Sequence, residues 1–92
     1  MPQTLHRSTG TGPIGIGRSQ LYALWEYHYE ENDEGRPCNR RWVVRVSLDE
    51  AENLGLCPYQ WVHLQLPGRP VVRALYQGGR DVPPFVLLTF ER

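Results

Sequence analysis

The sequence predicts an α+β fold that is predominantly β: five strands forming a small barrel or a twisted antiparallel sheet, with one short helix, in the order β-β-α-β-β-β. Three observations lead there. Leu21 to Glu30 alternates with a period of two and is dense in aromatic residues. Ser47 to Gly55 carries the start and stop signals of a short helix. Beyond it, brief apolar runs are separated by the turn-formers Pro67-Gly68, Gly78-Gly79 and Pro83-Pro84.

Residues 1–20 are rich in Gly, Thr, Ser and Pro and poor in apolar side chains, which predicts a flexible N-terminal arm ahead of a single small domain over 21–92. In the first strand Leu21, Ala23, Trp25, Tyr27 and Tyr29 share one face, and Tyr22, Leu24, Glu26, His28 and Glu30 share the other. Glu31 to Asn39 is polar, is broken by Gly35 and Pro37, and reads as the exposed loop of a long hairpin. Trp42 to Leu48 returns as the second strand, with Trp42, Val44, Val46 and Leu48 on one face.

Ser47 and Glu50 stand at the spacing of a capping box, in which hydroxyl and carboxylate each satisfy an orphan backbone N–H. Asp49 and Glu50 suit the positive end of the helix dipole. Leu48, Ala51 and Leu54 form the apolar stripe, Gly55 fits the left-handed position past the last turn, and Pro58 prevents continuation. Trp61 to Leu66 alternates, with Val62, Leu64 and Leu66 inward. Pro67-Gly68 matches the central pair of a type II turn, and Pro70 to Tyr76 is the partner strand. After the loop Gln77 to Pro84, Phe85 to Phe90 is an apolar run suited to burial on both faces.

A chain of 92 residues makes one domain with a thin core, for which association with a second copy is an expected support. Formal net charge is zero, a poor footprint for a protein that lives on phosphate backbones. All ten basic residues are arginine; with no lysine, Schiff-base chemistry and a Walker-type phosphate lysine are excluded. The two cysteines, Cys38 and Cys57, form no C-x-x-C pair, so neither a zinc knuckle nor a redox motif is indicated. No run approaches the ~20 apolar residues of a membrane helix. The opening residues lack the apolar core of a signal peptide, so the expected location is cytoplasmic.

The segment VVRVSLDEAENLGLCPYQWVHLQLPGRPVVRAL resembles the strand–helix–hairpin unit of AbrB-type swapped-hairpin proteins and is similar to the half-repeat of cradle-loop and double-psi barrels. The shared features are a strand at Val43 to Val46, a helix ending in Leu54-Gly55-Leu56, a turn at Pro58 to Gln60, a strand at Trp61 to Leu66, the hairpin Gly68 and a return over Val71 to Leu75. The resemblance covers residues 43–75. It implies an intertwined dimer and, secondarily, a DNA-binding regulator using Arg40, Arg41, Arg45 and Arg73 on phosphates. Tyr59-Gln60 stands where the family turn carries Gly-Asp.

Gly10-Thr11-Gly12-Pro13-Ile14-Gly15 satisfies G-x-G-x-x-G, but the dinucleotide fingerprint needs a strand before and a helix after it, and Pro13 removes an N–H from the cradle. His28, His63, Cys38 and Cys57 lack the close pairing of zinc ligands, and no metal or cofactor is expected. Cys57, His63 and Asp81 form the one conceivable nucleophilic trio, and nothing in the sequence draws them together.

The aromatic residues are the stronger lead. Trp25, Tyr27 and Tyr29, joined across strands by Trp42 and Trp61, are apolar anchors with polar handles. Glu26, Arg40 and Arg41 would set charge selectivity around them. The expectation is a non-catalytic binding or interaction module that self-associates through this aromatic face. A protein partner, a cationic aromatic ligand held by cation–π contact, or a stacked single strand are the candidate occupants.

Overall fold

The computed structural model describes residues 4–92. Its elements are β1 (Thr4–Ile16), β2 (Ser19–Glu31), β3 (Pro37–Ser47), α1 (Leu48–Leu54), β4 (Trp61–Gln65), β5 (Val72–Val82) and β6 (Phe85–Glu91). Every neighbouring pair is antiparallel, and the order β1-β2-β3-β6-β5-β4 closes into a barrel through two β1–β4 pairs, Gly15↔Gln65 and Ile16↔Leu64. The fold is predominantly β with one short helix, as expected. None of the helices is long and apolar enough to cross a membrane among the described residues.

The strand count corrects the expectation of a flexible arm. Thr4–Ile16 is a full strand paired with β2 from Thr4↔Glu31 to Ile16↔Ser19; residues 1–3 of the expected arm lie outside the described residues. Its inward positions are Gly10, Gly12, Ile14 and Ile16, and the two isoleucines are fully buried. The glycines hide this alternation from a hydropathy reading, yet their lack of a side chain is what the site requires. A Cβ on Gly10 would lie 2.7 Å from Trp25 Cζ2, and one on Gly12 would lie 2.8 Å from Pro67 Cγ. Gly10 and Trp25 are cross-strand partners, so the indole packs against bare backbone. The G-x-G-x-x-G pattern is thus absorbed by strand packing.

The helix forms as its caps predict. Glu50 N–H donates to Ser47 Oγ at 3.1 Å, and Ser47 N–H donates to Glu50 Oε1 at 2.9 Å. Gly55 adopts φ 58° and closes the last turn by donating to the Glu52 carbonyl. Ala51, Leu54 and Leu56 pack on the core where β3 ends and β6 begins. Leu48 departs from the expected stripe: it is the first helical residue and is 56% exposed, because the seven-residue helix turns only its Ala51–Leu54 side to the barrel. The Pro67-Gly68 turn is as read, with Gly68 at φ 70° and Arg69 N–H donating to the Leu66 carbonyl at 3.1 Å.

The lumen is filled by Trp25, Trp42, Tyr27, Tyr76 and Phe90 together with aliphatic residues from every strand. The 13-residue strands β1 and β2 outrun the barrel, so that with the start of β3 they form a three-stranded ribbon; the molecule measures 43 Å along its longest axis and 25 Å across.

Substituting Gly10→Ala is expected to destabilise the fold by about 1–3 kcal/mol through overpacking against the indole. That exceeds the ~0.5–1 kcal/mol that replacing a strand glycine otherwise returns. Gly15→Ala is the matched control: its Cβ would sit 3.5 Å from Gln65 Cβ, an ordinary contact. Urea denaturation followed by tryptophan fluorescence should separate the two variants.

Candidate functional site

Residue alternation in β2 and β3 directs Trp25, Tyr27, Tyr29 and Trp42 to one face, and antiparallel pairing sets Tyr27 opposite Trp42. The rings form a continuous pile. Trp42 stacks on Tyr27 with centroids 5.1 Å apart, Tyr27 on Tyr29 at 5.1 Å, and Tyr29 on His6 of β1 at 4.7 Å. The pile runs from the lumen out along the ribbon. Trp42 is 2% exposed, Tyr27 5% and Trp25 9%, while Tyr29 and His6 are half-buried. The surplus aromatic area that suggested self-association through this face is therefore largely covered within one chain.

Strand alternation brings a charge onto this face, beside a bulge. His28 pairs with Arg41 and Glu30 with Cys38, so Asn39 and Arg40 together oppose Tyr29. Asn39 takes φ 49° to accommodate the extra residue. Arg40, two residues before Trp42, shares its inward side by the alternation of β3. Its Nε donates to Tyr27 Oη at 2.9 Å, and its guanidinium carbon lies 4.9 Å from the Trp42 ring and 5.7 Å from the Tyr27 ring. From the other side of the barrel the β4–β5 turn supplies Arg69, whose guanidinium carbon is 5.3 Å from the Tyr27 ring and 5.8 Å from the Trp25 ring. Both arginines line a cleft of about 170 Å³ at the barrel mouth, walled by Leu64, Leu66, Pro70 and Val72. Among the described residues neither arginine has an acidic partner, and no carboxylate lines the cleft. Trp25 Nε1, on the same face, is buried without an acceptor among the described residues.

The other expected site residues lie elsewhere. Glu26 is on the outer face, where Arg7 donates to Oε1 at 2.7 Å and His28 Nε2 is 3.2 Å from Oε2. It rims nothing on the aromatic side, because adjacent residues of a strand point oppositely. Arg41 is also outward and, with Trp61, lines a wide outer groove of about 620 Å³. Trp61 is 49% exposed, carries Arg73 5.0 Å from its ring, and does not join the inner stack. Arg45 is spread over Phe85 at 4.3 Å. Arg40, Arg41, Arg45 and Arg73 are therefore divided between faces and strands.

Cys57 and His63 are both exposed, and no hydrogen bond joins Cys57, His63 and Asp81 among the described residues. Cys38 and Cys57 are free thiols. No cluster of three or more His, Cys, Asp or Glu side chains with metal-holding geometry occurs among the described residues.

Arg69 and His6 are the residues that sequence reasoning missed. Arg69 follows a Pro-Gly turn, which announces a hairpin tip but not what the tip covers. His6 belongs to a strand whose glycines disguised it. Its Nε2 is 2.8 Å from Glu31 Oε1, close but not aligned as a hydrogen bond. No family model, curated protein or solved structure matches this chain.

The outer-face cluster has a pH consequence. The hydrogen bond from Arg7, followed by that from His28, holds the Glu26 carboxyl below its ordinary value of 4.5. A carboxyl lowered in the fold stabilises the native state above the ordinary carboxylate range, and this contribution is lost as pH falls through the lowered value. Arg7→Ala should move the Glu26 titration, read by side-chain carboxyl NMR, up toward 4.5 and remove its share of the acid sensitivity.

Proposed function

We propose that this protein is a non-catalytic binding module that receives an anionic group in the cleft between Arg40 and Arg69. The observation that carries the reading is the pair of guanidinium groups set over aromatic rings without a carboxylate partner among the described residues. Guanidinium presents a fixed fork of donors that matches carboxylate or phosphate oxygens, and it is less strongly hydrated than an ammonium. The apolar walls lower the local dielectric and strengthen a charged contact relative to open solvent.

The sign of the site favours an anion over a cationic aromatic ligand. Arg40 and Arg69 already hold the cation positions over Tyr27, Trp42 and Trp25. A second cation entering the cleft would meet two like charges. Rings stacked on one another also leave little free face for intercalating bases. The cleft suits a single carboxylate or phosphate group, carried by a small molecule or by an acidic peptide end, better than a duplex backbone. Its lining supports binding rather than turnover: it holds no thiol, imidazole or carboxylate, and the Tyr27 hydroxyl already accepts from Arg40.

Titration with inorganic phosphate and with an acidic peptide, followed by NMR shifts of the tryptophan indole N–H groups, tests the reading and separates the two ligand sources. Saturable binding that weakens with salt is expected. Arg69→Gln should weaken it about 10- to 100-fold, the equivalent of one charged hydrogen-bonding contact of ~1.5–3 kcal/mol. Equal, non-saturating responses in wild type and Arg69→Gln would refute it.

A further inference from the structure

From Leu5 to Pro13, β1 is bonded along one edge only. It pairs with β2 over its whole length, but with β4 at Gly15 and Ile16 alone. The two-residue turn Gly17-Arg18, with Gly17 at φ 61°, makes Ile16↔Ser19 its closing hydrogen-bonded pair. N–H and C=O directions alternate along a strand. The even-numbered residues of β1 therefore face β2, and Leu5, Arg7, Thr9, Thr11 and Pro13 aim their backbone groups away from it. All five are exposed, and among the described residues nothing hydrogen-bonds that edge between Leu5 and Pro13. Pro13 agrees with this phase: its missing N–H removes no bond to β2.

We propose that this edge pairs antiparallel with the same edge of a second copy, so that two barrels share one continuous sheet. An open edge is ordinarily blunted by charge or proline. Here proline stands only at the end of the open stretch, and the one charged residue on it, Arg7, is engaged by Glu26 at 2.7 Å. The strand is also self-complementary in a two-fold arrangement. Centred on Ser8, pairing sets Arg7 opposite Thr9 and Leu5 opposite Thr11 of the partner strand. Centred on Thr9, it sets Thr9 opposite Thr9, Arg7 opposite Thr11 and Leu5 opposite Pro13.

Centring on Arg7 would oppose two like charges, which is unfavourable. Centring on Gly10 would bring Leu5 against Gly15, whose edge already serves β4. The two permitted registers use Thr9 alike and form roughly eight main-chain hydrogen bonds. Ser8, Gly10 and Gly12 on the inner side offer no bulk against the incoming strand. The pairing surface is distinct from the arginine cleft, and the inference stands whether or not an anion binds there.

Sedimentation velocity on the full chain is expected to show a dimer. Thr9→Pro should convert it to a monomer of unchanged circular dichroism, since proline at this phase leaves the β2 ladder intact as Pro13 does. Thr9→Val, which keeps the backbone donor, should remain dimeric. Hydrogen exchange on wild type supplies a second readout that needs no variant: the Arg7, Thr9 and Thr11 amides should gain protection of about tenfold or more as concentration rises through the dimerisation range. A monomer at every soluble concentration overturns the proposal. So does a dimer that survives in folded Thr9→Pro, or one in which those three amides exchange as freely as an open edge.

Discussion

The packing of the Trp25 indole against the bare backbone of Gly10 is the constraint on which the remainder depends. A six-stranded barrel of this girth has room for few large side chains, yet five aromatic residues point into it. Space is made by removing side chains from the facing strand. Gly10 and Gly12 take the positions that β-carbons would otherwise fill, next to Trp25 and Pro67. With that strand in place the rings of β2 and β3 are covered on both sides, and a domain of 92 residues acquires a core dense in aromatic area. The glycines cost backbone entropy, and ring burial offsets that cost.

The same packing places the charges. Because the ring pile continues from the lumen into the ribbon, the barrel mouth is bordered by aromatic faces. A cationic fork is the polar group best able to lie against such faces while partly dehydrated. Alternation from Trp42 sets Arg40 inward beside the bulge at Asn39, and the β4–β5 turn brings in Arg69. The acidic residues of the ribbon are committed elsewhere: Glu26 to Arg7 and His28 on the outer face, Glu31 beside His6. Zero net charge over the chain is thus compatible with a locally positive cleft, since opposite signs are sorted onto different surfaces.

Ribbon and barrel share a single hairpin, which ties the two surfaces together physically. β1 lends its inner face to the core and keeps its outward edge open, because β4 meets it for only two residues before the β4–β5 turn closes over the mouth. The divergence that frees the edge is the one that carries Arg69 over Tyr27. Closure at one end and openness at the other are therefore two results of one short pairing.

How much of this was legible in the residues depends on whether the signal was local. Alternation in β2, the capping box at Ser47 and Glu50, the left-handed Gly55 and the Pro67-Gly68 turn are written within a few residues each, and the elements they announce are present. The sequence alone also determined that Trp25, Tyr27 and Tyr29 share a face, since that follows from a period of two; that Trp42 joins them and Trp61 does not is set by strand pairing. β1 escaped notice because glycine carries no hydropathy signal at the positions where the fold needs emptiness. Only the tertiary structure decided that Trp61 stands apart from the inner rings and that Arg40 and Arg69 meet over Tyr27. Register, bulge and barrel closure set those distances. They arise from pairing between residues far apart in the chain, which no short window of sequence contains.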